Sequence, residues 1–221
     1  MPRTKINAKG IDLRLIMRYM ERKFLDFFPG YLFLLRRFSF HLFSELTSLL
    51  LPNIKGGRIL DIGTGHGTVP VELAKAAGAI SAAIGVDISG NLLKRARQLA
   101  KSEGVGGKAY FVRADAHNLG FSESVFDYIV SSGSLNLWDS PVEVLNEAYR
   151  VLKPGGSFWL FDQRRVESTR ELVEALFHRR FFGIGLTAYT IEEIRGFIRE
   201  SKFGDSKLKI KDMIVCAEMV K

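Results

Sequence analysis

A chain of 221 residues, 47% of them hydrophobic, is sized for one substantial α/β core with an added helical segment, and this excludes wholesale disorder. Its single cysteine, Cys216, excludes a disulfide framework and a multi-thiolate zinc site, and suits a reducing compartment. The formal charge of +8 is lopsided: residues 1–58 hold 11 Lys/Arg against four Asp/Glu, and the remainder 21 against 20. A basic N-terminal segment on a nearly neutral body points either to an anionic partner or substrate or to a solvated helix face.

Residues 1–10 read as a basic tail with no apolar run or cleavage site close behind, so no signal peptide is expected. Asp12 is placed to cap a helix running to about Phe28, which Pro29-Gly30 ends. A second helix is predicted over residues 31–50, with Leu32, Leu35, Ser39, Leu42, Leu46 and Leu49 at three- and four-residue steps. Arg36, Arg37, His41 and Glu45 interrupt that greasy stretch, so it is not read as a membrane span. Residues 1–54 are therefore expected to form a helical cap or extension, laid over the ligand end of a sheet or packed on its outer face. Residues 55–221 form the main domain.

The first strand, Ile59-Leu60-Asp61-Ile62, runs into Gly63-Thr64-Gly65-His66-Gly67 and then a helix from about residue 68, with Pro70 in its opening turn. Gly63 and Gly65 can take backbone angles closed to other residues and let a ligand approach the main chain. The free amides at the helix start make this unit a nucleotide-binding crevice. A dinucleotide fingerprint puts its third glycine five residues after the first, whereas Gly67 falls four after Gly63. With Asp61 just ahead, Asp-x-Gly-x-Gly-x-Gly after an apolar strand resembles the first motif of the class I S-adenosylmethionine (SAM)-dependent methyltransferases.

The second strand, residues 82–87, ends on Asp87, 20 residues after Gly67. An acid there accepts from both ribose hydroxyls of an adenosine; the alternative is a cap for the helix predicted at 90–103. Strand 109–113 leads to Asp115. In the family resembled, an acid here takes the adenine amine and the next backbone N–H, that of Ala116, meets the ring. Residues 115–121 resemble the family's Asp-Ala-x-x-Leu-Pro-Phe, with Gly120 where proline is usual. His117 is read either as a base or as a cofactor-side loop residue.

Strand four, 126–131, opens on Phe126-Asp127 and ends at Ser131-Ser132, resembling the family's fourth motif. The loop after it faces the methyl group in the family, which makes Asn136, Trp138 and Asp139 acceptor-side candidates, with loop packing and helix capping before Pro141 as the alternative. A helix at 141–151 ends in Leu152-Lys153-Pro154-Gly155-Gly156, read as a helix stop and turn with lysine at the negative helix end. Strand 157–162, a helix at 168–180 and a Gly183/Gly185 loop follow. Thr190-Ile191-Glu192-Glu193 is a capping box opening helix 191–201, and strands at 207–212 and 214–220 close the chain. Cys216 alternates within the last run and is read as a packed strand residue.

The resemblance implies a three-layer αβα, doubly wound α/β fold with a mostly parallel seven-stranded sheet and an antiparallel last strand. It implies SAM as cofactor and S-adenosyl-L-homocysteine as product, held by Asp61, Gly63, Thr64, Gly65 and Gly67 at the methionine end. Asp87 would serve the ribose and Asp115 and Ala116 the adenine, with Ile88, Ser131 and Ser132 as further cofactor-binding residues. No metal set is read. Methyl transfer from a sulfonium is an in-line displacement, for which holding the partners together and excluding water suffice unless the acceptor must lose a proton. There is no Asn/Asp-Pro-Pro-Tyr/Phe or Pro-Cys motif for DNA-base or pyrimidine methylation.

A small, partly apolar or anionic acceptor is expected, because Phe24, Phe27, Phe28, Phe33 and Phe38 interleave with Arg36 and Arg37. The alternatives are a non-catalytic SAM-binding scaffold and an RNA or protein methyltransferase. The chain is read as cytoplasmic, without a membrane span, and a homodimer is allowed.

Overall fold

Apolar runs that end on an acid or a glycine turn become adjacent parallel strands in the computed structural model, which describes Leu46 and residues 50–76, 80–165, 188–211 and 214–221. The strands are β1 (Gly57–Ile62), β2 (Ile80–Asp87), β3 (Ala109–Arg113), β4 (Phe126–Ser132), β5 (Leu152–Gln163), β6 (Lys207–Lys211) and β7 (Ile214–Val220). They form one sheet in the order β3-β2-β1-β4-β5-β7-β6. The first five are parallel, and β7 runs antiparallel to both neighbours. Strand order reverses between β1 and β4, so their carboxyl ends splay and leave a crevice there.

Four described helices flank the sheet: α1 (Thr68–Ala76), α2 (Gly90–Ser102), α3 (Pro141–Val151) and α4 (Ile191–Glu200). Residues of α3 and α4 pack on one face with Leu60, Phe126, Ile129, Phe158 and Val215. Residues of α1 and α2 pack on the other with Ile59, Ala83, Val130 and Trp159, and Leu46 and Leu50 are buried in that cluster too. Cover on both faces explains why β1 is buried over four consecutive residues instead of alternating. The remainder of the predicted N-terminal helices, the helix at 168–180 and the Gly183/Gly185 loop lie outside the described residues. Among the described residues, no helix is long and apolar enough to cross a membrane.

The Thr190–Glu193 capping box forms in both directions. Cys216 is half-buried on β7, and burial pushes its thiol up to about 11, as a packed residue requires. The helix stops where expected, α3 ending at Val151, but the turn expected over Leu152–Gly156 does not stand by itself. These residues are already strand: Leu152 pairs with Phe126, and a bulge follows before Ser157 pairs with Tyr128. Gly155 takes a φ of 76° inside this irregular stretch. Lys153 does not serve the helix end; its Nζ lies 2.7 Å from Asp127 Oδ1. Lys221 donates instead, 2.7 Å to the Leu152 carbonyl, a contact across 69 positions that no local pattern reveals.

Candidate functional site

A cavity of about 580 Å³ opens at the carboxyl ends of β1, β2 and β3 and under the loop after β4. Gly63, Asp87, Ile88, Asp115, Ala116, His117, Trp138 and Asp139 line it, together with Ser134 and Arg113, which the motif reading did not single out.

The three glycines of the β1 turn all have positive φ, of 75°, 55° and 83°, and each meets a different demand. A Cβ on Gly63 would lie 2.6 Å from the Ser134 Cβ, so this glycine admits the loop after β4. A Cβ on Gly67 would lie 2.6 Å from the Ala96 Cβ and 2.7 Å from the Phe111 ring, so this one admits α2 and β3. Gly65 has open space, and its N–H donates to Asp87 Oδ2 at 2.9 Å. The glycines therefore bring protein against protein as much as they clear a ligand's path.

Asp87 is held from two sides, because Oδ1 also accepts the Ser89 N–H at 2.9 Å. The side chain capping α2 is that of Ser89, whose hydroxyl accepts from Leu92 N. Asp87 thus stands on the cavity wall with its carboxylate fixed between the glycine turn and the α2 start. Next to it Ile88 is 56% exposed, a bare apolar side chain on the cavity wall.

Asp61 is 2% exposed and does not line the cavity. Burial pushes its carboxyl up to about 7, and the neighbouring charge of Asp87 adds to the rise. Thr64 and Gly67 are buried, and neither they nor the partly exposed Gly65 line the cavity.

Asp115 begins a tight turn in which its Oδ1 accepts the His117 backbone N–H at 3.0 Å and faces His117 Nδ1 at 2.7 Å. His117 Nε2 accepts the Ser140 N–H at 3.2 Å. Ser131 is fully buried, donating to the Ile62 carbonyl at 2.8 Å with Ser134 Oγ 2.6 Å away. Ser131, Ser132 and Asn136 do not reach the cavity, and Trp138, 4% exposed, is mostly core. Asp139 is exposed on the wall.

Asp162, at the end of β5, escaped the motif reading. It is 4% exposed and accepts from Leu135 N at 2.8 Å and Gln163 N at 2.7 Å, pinning the loop after β4. Burial pushes its carboxyl up to about 6 against those bonds. The signal was present: Trp159-Leu160-Phe161-Asp162 ends an apolar strand on an acid, as the strands of Asp61 and Asp87 do.

The wall carries the carboxylates of Asp87, Asp115 and Asp139 and, as a cation, Arg113. Such a lining suits a phosphate-free adenosine derivative and disfavours a pyrophosphate. The chemistry of the donor set therefore fits SAM, a cationic adenosine without phosphate. Fold and site define a doubly wound domain with a cavity suited to such a ligand at the carboxyl ends of its strands.

The family described as methyltransferase domain matches residues 60–160. The chain is 35% identical over 101 residues to the ubiquinone/menaquinone biosynthesis C-methyltransferase UbiE of Pseudomonas fluorescens (strain SBW25), covering 46% of this chain and 40% of that one. It is 31% identical over 153 residues to the 27-O-demethylrifamycin SV methyltransferase of Amycolatopsis mediterranei (strain S699), covering 69% and 56%. It thus spans about half the length of these relatives. The fold is shared with a SAM-dependent methyltransferase of Aquifex aeolicus, with a TM-score of 0.60 and 15% identity over 73% of this chain and 80% of that one. Residues 60–160 thus match a methyltransferase domain, and the chain shares the Rossmann-like fold of SAM-dependent methyltransferases.

Proposed function

We propose that the protein transfers a methyl group from SAM to a small, partly apolar acceptor and releases S-adenosyl-L-homocysteine. The observation that carries this reading is Asp87, at the end of β2, fixed on the wall of a cavity of about 580 Å³ by Gly65 and Ser89. A carboxylate oxygen that takes one N–H keeps further acceptor capacity, so Asp87 can still receive the ribose hydroxyls. Asp115 would take the adenine amine, the Ala116 N–H a ring nitrogen, and Ile88 would cover the ring. Gly63 would bound the methionine end, with Asp61 acting from behind the turn.

The chemistry asked of the chain is orientation. SAM supplies an electrophilic methyl with a neutral leaving group; the cavity holds the acceptor in line and keeps water out. Where the acceptor must lose a proton, Asp139 is an exposed carboxylate on the part of the wall that follows β4. The two curated relatives support a small acceptor: one is a ubiquinone/menaquinone biosynthesis C-methyltransferase, the other a 27-O-demethylrifamycin SV methyltransferase. A cytoplasmic setting, in which a lone thiol stays reduced, fits the same reading.

Calorimetry with SAM, S-adenosyl-L-homocysteine and NAD tests the cofactor; the first two should bind and NAD should stay silent. Tight NAD binding with silent SAM would overturn the proposal. Incubation with methyl-labelled SAM and cell extract should then move label to an extractable small molecule. SAM binding without any transfer would instead favour a non-catalytic scaffold.

A further inference from the structure

His117 joins two loops that are far apart in the chain. Its Nδ1 lies 2.7 Å from Asp115 Oδ1, and its Nε2 lies 3.2 Å from the backbone nitrogen of Ser140. A backbone N–H only donates, so Nε2 must accept with its lone pair and carry no proton. Neutral imidazole then has its one proton on Nδ1, where it is donated to the Asp115 carboxylate. This is the less common tautomer of free histidine, and it commits both nitrogens.

The two ends of this link belong to the loops after β3 and after β4, both of which contribute residues to the cavity wall. Asp115 stands past β3, on the side read as adenosine-binding. Ser140 follows Trp138 and Asp139, the wall residues after β4, and is the N-cap residue of α3 without a side-chain cap bond of its own. The loop after β3 is tied to α3 at two further points, Leu119 N to Glu147 Oε1 at 2.9 Å and Arg150 Nη2 to the Phe121 carbonyl at 2.7 Å. Neither tie touches the cavity; the His117 ring lines it. Both bonds from His117 to Asp115 fall on Oδ1, and neither uses Oδ2.

We propose that His117 is a positioning residue that couples the adenosine side of the cavity to its acceptor side, holding the Asp115 carboxylate through Nδ1–H and the turn at Ser140 through Nε2. The adenosine half of this rests on the SAM reading above. The same geometry removes His117 as the general base, because the lone pair a base would use is already engaged.

Two variants separate the nitrogens. The amide of Asn reaches about as far as Nδ1, so His117→Asn keeps a donor toward Asp115 and loses the acceptor for Ser140. The amide of Gln reaches about as far as Nε2, so His117→Gln does the opposite. In the ligand-free wild type, long-range 1H–15N spectra should show the His117 signals of the Nδ1–H tautomer. His117→Gln should weaken S-adenosyl-L-homocysteine binding roughly three- to tenfold, with exchange of the Ser140 amide near wild type. His117→Asn should keep affinity within about twofold and speed that exchange by about an order of magnitude.

An Nε2–H tautomer would overturn the proposal. So would equal losses of affinity and protection in both variants, the signature of a merely structural side chain. A wild type that binds neither SAM nor S-adenosyl-L-homocysteine would refute the SAM reading and the adenosine half with it, while tautomer and exchange would still decide whether the link exists.

Discussion

Replacing Asp61 by asparagine should make stability less dependent on pH, in a direction set by burial. Asp61 is 2% exposed and its carboxyl is raised from 3.8 to about 7, so no discount for solvent screening applies. Between those values the native state holds a proton that the unfolded chain has released. The unfolded state therefore binds fewer protons, and stability falls as pH rises, by about 1.4 kcal/mol per unit until the folded pKa is passed. Going from pH 5 to pH 8 this amounts to about 2–3 kcal/mol lost by the wild type and spared in Asp61→Asn.

Asp162, raised to about 6, acts in the same direction over the lower part of the window, but it is present in both proteins and cancels in their difference. Asp127 and Glu147, held below their ordinary values, titrate beneath the window. Urea unfolding of both ligand-free proteins at pH 5, 6, 7 and 8 and constant ionic strength measures the gap. Parallel stability curves, with the same wild-type-to-variant difference at pH 5 and pH 8, would refute the buried-carboxylate reasoning.

Asp87→Ala should weaken SAM binding by about 1–3 kcal/mol in calorimetry, the cost of stranding polar partners, and unchanged affinity would rule out the ribose role. Of the turn glycines, Gly67→Ala should destabilise by about 2–4 kcal/mol in urea unfolding, since its Cβ would strike Ala96 and Phe111 at positive φ, whereas Gly65→Ala meets open space and should cost about 1 kcal/mol. Equal losses at the two positions would contradict the division of roles. Asp162→Ala strands the Leu135 and Gln163 N–H groups and should cost about 1–3 kcal/mol, seen as a lower urea midpoint with an unchanged slope. A midpoint equal to wild type would mean that the loop after β4 does not depend on this carboxylate.

What the sequence determined by itself is everything carried by short-range pattern. The four-residue spacing of Gly63 and Gly67 excluded the dinucleotide fingerprint, and acids ending apolar runs at Asp61 and Asp87 located strand ends that the sheet then set side by side. The capping box at Thr190 was equally local and formed as read. The tertiary structure decided what depends on contacts between distant positions. The helix stops before Leu152 as read, but Leu152–Gly156 became the start of β5 and not a free turn, because pairing with β4 and a carbonyl bond from Lys221 outweigh local turn preference.

It also sorted the candidates by where the wall of the cavity falls. Asp61 and Ser131 went behind that wall, and Trp138 lines it with little of its side chain exposed. Arg113 and Ser134 joined the wall and Asp162 came to pin the loop after β4, because a strand end or a loop acquires its neighbours only once the sheet has closed around it. Hydrophobic period and turn chemistry act within a few residues and can be read along the chain. Burial, and hydrogen bonds such as those of His117 and Asp162, span tens of positions and exist only in the folded protein.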